Sequence, residues 1–178
     1  MTILSPEQRT LDLHVLMREN VNYKELLRVS NEIILQMKIT KGEFDVFLCH
    51  NNDDKIVIRA INEKLKQEGI NPWLDEEQLR PGVPWQRELE KQIDKVKTVA
   101  VFVGKDGIGP WQQMEMEGFL RNFVERDEPC PVIPVILPNC DKAPELPMFL
   151  RGMTWVDFRK IDPDPMKQLI WGITGQRN

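Results

Sequence analysis

The chain has 178 residues, 41% of them apolar, and a formal net charge of −4. That is enough apolar chain to bury one core of ordinary size, and the slight acidic balance leaves no electrostatic footprint for nucleic acid or an anionic membrane. Its N-terminus has no signal-peptide pattern, no apolar run nears the roughly 18 residues of a bilayer span, and Cys49, Cys130 and Cys140 have no paired spacing, so a soluble cytoplasmic protein with thiols, without disulfides or bound metal, is expected.

Residues 5–40 read as a helical hairpin. Ser5-Pro6 is a good start signal, and Leu11, Leu13, Leu16 and Met17 follow at helical spacing. A second helix begins near Asn22, with Leu26, Leu27, Val29, Ile33, Ile34 and Met37 as its stripe. Gly42 ends the pattern, which divides the chain into an extension over 1–42 and a domain over 43–178. His14 lies in the extension, where a lone histidine is ordinarily a packing residue.

From Phe44 onward strand and helix alternate. "FDVFLC" predicts a buried strand, and "DDKIVIRAINEKLKQEG" a helix capped by Asp53 or Asp54 and closed by Gly69. "INPWLD" is a second strand, "EEQLRPGVP" a loop and "WQRELEKQIDKV" a helix. "TVAVFVG" is a third strand, "PWQQMEMEGFLRNFVER" a helix, "PVIPVIL" and "GMTWVDF" the last strands, and "DPMKQLIWGIT" the closing helix. Near-continuous apolar strands separated by helices mean a parallel sheet covered on both faces. Ligands of such sheets bind beyond the carboxyl ends of the strands, which selects "CHNND", "DEEQLRPGVPW" and "GKDGIGPW" for inspection.

The third of these is not a dinucleotide fingerprint. Gly107 and Gly109 supply G-x-G, but Gln112 stands where the third glycine belongs, and no Gly-Lys-Ser/Thr enters the helix. The helix that follows is more informative. At about 100° per residue, Trp111 and Glu115 fall on one side, along a stripe continued by Gly118 and Phe119. Glu117 points away and pairs in register with Arg121. A carboxylate on an apolar stripe needs a function or a partner, although periodicity leaves open that Glu115 sits at the rim with its head in water.

Cys49-His50 is not a nucleophile–base dyad by adjacency, because successive strand residues point to opposite faces. A phosphorelay receiver would need an acidic pair after the first strand and an aspartate after the third, and neither is present. Asp75 opens a loop where the second strand meets the crevice. Trp73, Trp155 and Trp171 read as packing residues, whereas Trp85 and Trp111 border the crevice loops.

Three segments in order resemble the Toll/interleukin-1 receptor (TIR) domains: "FDVFLCHNNDD", "WLDEEQLRPGVPW" with its Arg80-Pro81-Gly82 tip, and "FLRGMTWVDF". The wording is most similar to the bacterial branch, and the likeness covers about residues 43–174. It implies an α/β, flavodoxin-like sheet of five parallel strands in the order 2-1-3-4-5 and, for catalytic members, cleavage of the nicotinamide–ribose bond of NAD+. The family's W-x-x-x-E motif corresponds here to Trp111-Gln112-Gln113-Met114-Glu115, making Glu115 the implied catalytic residue. His50, Asn51, Asp75, Arg80 and Trp111 are the implied substrate-binding residues. The resemblance also implies homotypic assembly through Leu79, Arg80, Pro81 and Gly82, service to a sensor or effector protein, and NAD+ as substrate with no cofactor. Cys49 departs from the family's usual serine. Other members only recruit partners, so a non-catalytic adaptor is the alternative.

Overall fold

The computed structural model describes residues 6–82, 96–107, 130–140, 146 and 148–177, with side chains described from Asn22 onward except for Phe149. Its elements are helix α1 (Pro6–Lys41), strand β1 (Val46–Cys49), helix α2 (Lys55–Gln67), strand β2 (Pro72–Trp73), a helical turn α3 (Asp75–Gln78), strands β3 (Val99–Val103) and β4 (Val132–Ile136), a short helix α4 (Met148–Arg151), strand β5 (Val156–Asp157) and helix α5 (Pro165–Thr174). All strand pairs are parallel, and the sheet order is β2-β1-β3-β4-β5. The sheet therefore has the expected five parallel strands in the expected order. The helices expected over 85–96 and 110–126 lie outside the described residues except for Val96, which forms an isolated parallel bridge with Phe44.

Strands β1 to β4 are apolar at every position because both faces of the sheet are covered. Val99 through Val103 are completely buried. Phe47, Val99, Val101 and Val103 point into one apolar layer with Trp73 and Leu150. Their strand neighbours Leu48, Ala100 and Phe102 point into the other, with Ile58, Ile61 and Leu65 of α2 and Leu169 and Ile173 of α5. The period-2 alternation of the pleat thus divides each strand between two cores.

Helix ends follow local chemistry. At the end of α2 the Gly69 N–H bonds the Lys66 carbonyl and the Ile70 N–H bonds the Leu65 carbonyl. This is the double closure that needs a left-handed residue, and Gly69 has φ +72°. Asp164 caps α5 through the N–H groups of Met166 and Lys167.

Two expectations need correction. The hairpin over residues 5–40 is one uninterrupted helix of 36 residues. The segment joining its halves, "RENVNYK", has neither glycine nor proline, and two asparagines are too weak a penalty to stop a helix. Trp155 and Trp171 are also not core residues: they are 49% and 42% exposed, and the Arg177 guanidinium lies 4.9 Å from the Trp171 ring centroid. Trp73 does pack as expected, with its ring centroid 5.0 Å from that of Phe47.

The last strand carries a pH-sensitive pair. The Asp157 carboxylate is nearly buried and accepts from Arg159 Nε at 2.8 Å and Nη2 at 2.9 Å. These bonds hold its pKa below the usual value against the opposing effect of burial. A depressed folded-state pKa stabilises above the unfolded value and stops doing so as pH falls through the folded one. Arg159→Met is expected to cost about 1 kcal/mol at neutral pH. Its gap in melting temperature from wild type should stay constant above about pH 5 and narrow below about pH 4. A gap that is flat down to pH 2 in thermal unfolding would refute the assignment.

Candidate active site at the carboxyl edge of the sheet

Three described loops meet at the carboxyl ends of β1, β2 and β3. The first begins at His50, whose imidazole is buried: only 4% of the side chain is exposed. Its Nδ1 lies 3.0 Å from the Leu48 carbonyl. Donation from Nδ1 to that carbonyl leaves Nε2 as the atom presented to the crevice. Nε2 faces Asp75 Oδ1 at 3.8 Å, and the Asp75 side chain is 40% exposed. The structure thus brings together two of the residues selected from the sequence, one on each side of the β1–β2 edge. An imidazole nitrogen beside a half-exposed carboxylate suits hydroxyl groups; neither favours a phosphate.

Asp75 is held in place by its neighbours. Expected as loop, residues 75–78 form the helical turn α3, with the Leu79 N–H bonded to the Asp75 carbonyl at 2.8 Å. Glu76 accepts from Arg59 Nε at 2.7 Å and lies 3.3 Å from Lys55, while Glu77 accepts from Lys66 at 2.7 Å and from Asn62 at 2.9 Å. Two consecutive glutamates therefore tie the turn to α2. Leu79 packs against the core, whereas Arg80, Pro81 and Gly82 are exposed. The expected assembly loop is an apolar anchor followed by an exposed tip. Arg80 makes no ion pair among the described residues.

Cys49 is buried at the end of β1, beside this site. Its thiol is 2% exposed, and burial, followed by the charge of Asp75, pushes its pKa up to about 12. Cys49 packs in the apolar layer of Phe47 and Trp73, and His50 lies just beyond the end of β1.

Sequence reading missed one constellation. Asp54 stands at the start of α2 but makes no capping bond with its side chain. It is 4% exposed, and its Oδ1 accepts from Asn139 Nδ2 at 3.1 Å, on the loop after β4. Gly104, the first residue after β3, lies against the same carboxylate, so a Cβ there would collide with Asp54 Oδ2. Asp54 thereby links three loops at the crevice edge. No periodicity signals such a contact; the glycine directly after an apolar strand was the available clue. Gly104→Ala is expected to cost about 2 kcal/mol, measured by urea unfolding, with much of it recovered in the Gly104→Ala/Asp54→Ala double variant. Strict additivity would show that the two residues do not meet.

Asn51 precedes this turn, and its carbonyl accepts from the Asp54 N–H at 3.0 Å while its side chain caps nothing. Glu115 and Trp111 lie outside the described residues. Among the described residues no group of three or more His, Cys, Asp or Glu side chains is placed to hold a metal, and no helix is long and apolar enough to cross a membrane.

The profile of the TIR domain matches residues 46–170. The chain belongs to the TIR-domain family. Among curated relatives it is 34% identical over 85 residues to the NAD(+) hydrolase TcpA of Theionarchaea archaeon (strain DG-70-1), covering 47% of this chain and 26% of that protein. It is 30% identical over 83 residues to the 2' cyclic ADP-D-ribose synthase AbTIR of Acinetobacter baumannii (strain 1295743), covering 46% of this chain and 31% of that one. The match thus spans about a third or less of the length of these relatives. Among solved structures, the TIR domain of the Toll-related receptor TRR-2 from Hydra magnipapillata superposes with a TM-score of 0.57 at 22% identity, covering 73% of this chain and 98% of that one. That likeness concerns the TIR fold alone.

Proposed function

We propose that this TIR domain is an NAD+ nucleosidase, cleaving the nicotinamide–ribose bond to release nicotinamide and ADP-ribose or a cyclic ADP-ribose isomer. What supports the reading is that curated relatives matching 85 and 83 residues of the chain are named NAD(+) hydrolase and 2' cyclic ADP-D-ribose synthase. The chain also keeps the Trp111–Glu115 spacing of the catalytic motif.

The chemistry asks little of the protein. Nicotinamide leaves as a neutral base from a cationic substrate, so no general acid is required to expel it. Positive charge develops on the ribose, and a carboxylate beside it stabilises that oxocarbenium-like state. Glu115 is assigned this role. Trp111 stacks on a substrate ring, His50, Asn51 and Asp75 take ribose hydroxyls, and Arg80 takes the diphosphate. Water capture gives ADP-ribose; capture by a group on the same molecule gives a cyclic product. NAD+ is the substrate and no cofactor is needed. The exposed Arg80-Pro81-Gly82 tip is assigned to homotypic packing that raises activity, within a cytoplasmic antiphage response that a sensor or effector protein serves.

The test is incubation of the purified chain with NAD+, following nicotinamide release by chromatography. Turnover that rises more steeply than protein concentration is expected. No release at high protein concentration or with a crowding agent would overturn the reading in favour of a non-catalytic adaptor.

A further inference from the structure

Helix α1 meets the rest of the protein along its polar edge. Asn31 Nδ2 donates to the Gln67 carbonyl at 3.0 Å, and Lys38 Nζ donates to Asp45 Oδ2 at 2.7 Å and to the Gly69 carbonyl at 2.9 Å. Leu35, between them, is the helix's one buried apolar residue among those described, and the absence of a side chain at Gly69 lets the Asn31 backbone approach. Asn31, Leu35 and Lys38 are spaced i, i+4, i+7, a single narrow stripe.

The apolar face points elsewhere. At about 100° per residue, Tyr23, Leu26, Leu27, Ile33, Ile34 and Met37 form an arc whose centre lies roughly 140° around the helix from Leu35. All six are exposed, Leu26 by 68% and Ile33 by 56%. A helix with one apolar face ordinarily turns it toward the core; this one turns it toward solvent.

We propose that this outward face of α1 is a helix-to-helix interface between copies of the chain. The area is sufficient: six such side chains leave roughly 600 Å² in water, so pairing two faces removes about 1,200 Å², where stable specific interfaces begin. It is also at the top of the range for the largest apolar patch of a typical monomer. The rim favours a self-complementary partner over a charged one. One border of the arc holds the uncharged Asn22, Gln36 and Thr40, and the other holds Asn31 and Lys38, both already bonded to the domain. A border of asparagine, glutamine and threonine is likewise unlike the Lys/Arg-rich flank of a helix that lies on a membrane. The arc is wider than the a/d seam of a two-stranded coil and suits a bundle of helices. Val29, Ile33 and Met37 border a groove along α1 of the kind that a partner helix's ridge fills. Such a bundle would bring the TIR domains together independently of the Arg80 loop, and the inference does not rest on the proposed activity.

Light scattering coupled to gel filtration on the full chain, at about 100 µM, reads this directly. The wild type is expected as a dimer or larger, and Leu26→Glu/Ile33→Glu as the 20.9 kDa monomer. Both substituted side chains are exposed, so circular dichroism should show the fold retained; the milder Leu26→Gln/Ile33→Gln variant should weaken association at least about tenfold. Ile56→Glu, an equally exposed control on α2, should leave the mass unchanged. A monomeric wild type, an oligomeric Glu variant, or a monomer that floats with phosphatidylcholine vesicles would each overturn the proposal. Nicotinamide release is not the readout, so either outcome leaves the activity reading standing.

Discussion

Glu115→Gln is expected to reduce nicotinamide release by at least about 10²–10³-fold, while Glu117→Gln stays within about twofold of wild type. The amide keeps the size and shape of the carboxylate and one acceptor oxygen, while it removes the charge and puts a donor in place of the second acceptor. If the group's work is to oppose developing positive charge on the ribose, charge is what must be lost. The two glutamates are two positions apart in the sequence, which on the helix expected over 110–126 is about 200°, so only one of them is expected to face the crevice. The sequence spacing sets Glu115 four positions after Trp111 and Glu117 four positions before Arg121, so Glu115 is expected on the Trp111 side. The measurement is initial-rate nicotinamide release with all three proteins at equal concentration. Equal rates for wild type and Glu115→Gln would remove Glu115 from the mechanism, and loss in Glu117→Gln alone would transfer the role.

What the sequence made legible follows from which forces are local. The sheet was readable because burial on both faces demands continuous apolar strands, and "VAVFV" at 99–103 has no competing reading. Gly69 announced the end of α2 because left-handed closure is a property of a few adjacent residues. The proximity of His50 and Asp75 was readable only through topology: parallel neighbours place their C-terminal loops together. Asp54 and Asn139 lie 85 residues apart, and nothing local distinguishes an aspartate that caps a helix from one that turns to another loop. The mistaken hairpin has the same origin. Apolar spacing shifts phase near Asn20 to Asn22, which reads as two helices, but the backbone bonds carry through because a change of face is not a break.

Asp45→Ala is expected to destabilise the fold by about 3–5 kcal/mol, the largest loss among substitutions outside the apolar core. Asp45 precedes β1 and is 8% exposed. Its Oδ2 accepts from Lys38 Nζ at 2.7 Å and from the Asn71 N–H at 2.8 Å, and its Oδ1 from Lys97 Nζ at 3.3 Å. One carboxylate thus joins α1, the entry to β2 and the entry to β3. Alanine would leave the buried Asn71 N–H without its acceptor and the largely covered Lys38 ammonium with only the Gly69 carbonyl among the described residues. An orphaned donor and an uncompensated charge both cost more than the bonds themselves contribute. Asp45→Asn keeps an acceptor and loses the charge, so a smaller loss of about 1–2 kcal/mol is expected. The Lys97 contact, with its lysine side chain 59% exposed, contributes little. Urea unfolding of Asp45→Ala, Lys38→Met and the double variant tests the assignment. The double variant should be more stable than the sum of the single losses by about 1–3 kcal/mol, and in Asp45→Ala the amides of α1 should lose hydrogen-exchange protection before those of β3. Additive losses, or α1 amides exchanging no faster than the sheet's, would show that the helix is held by something other than this carboxylate.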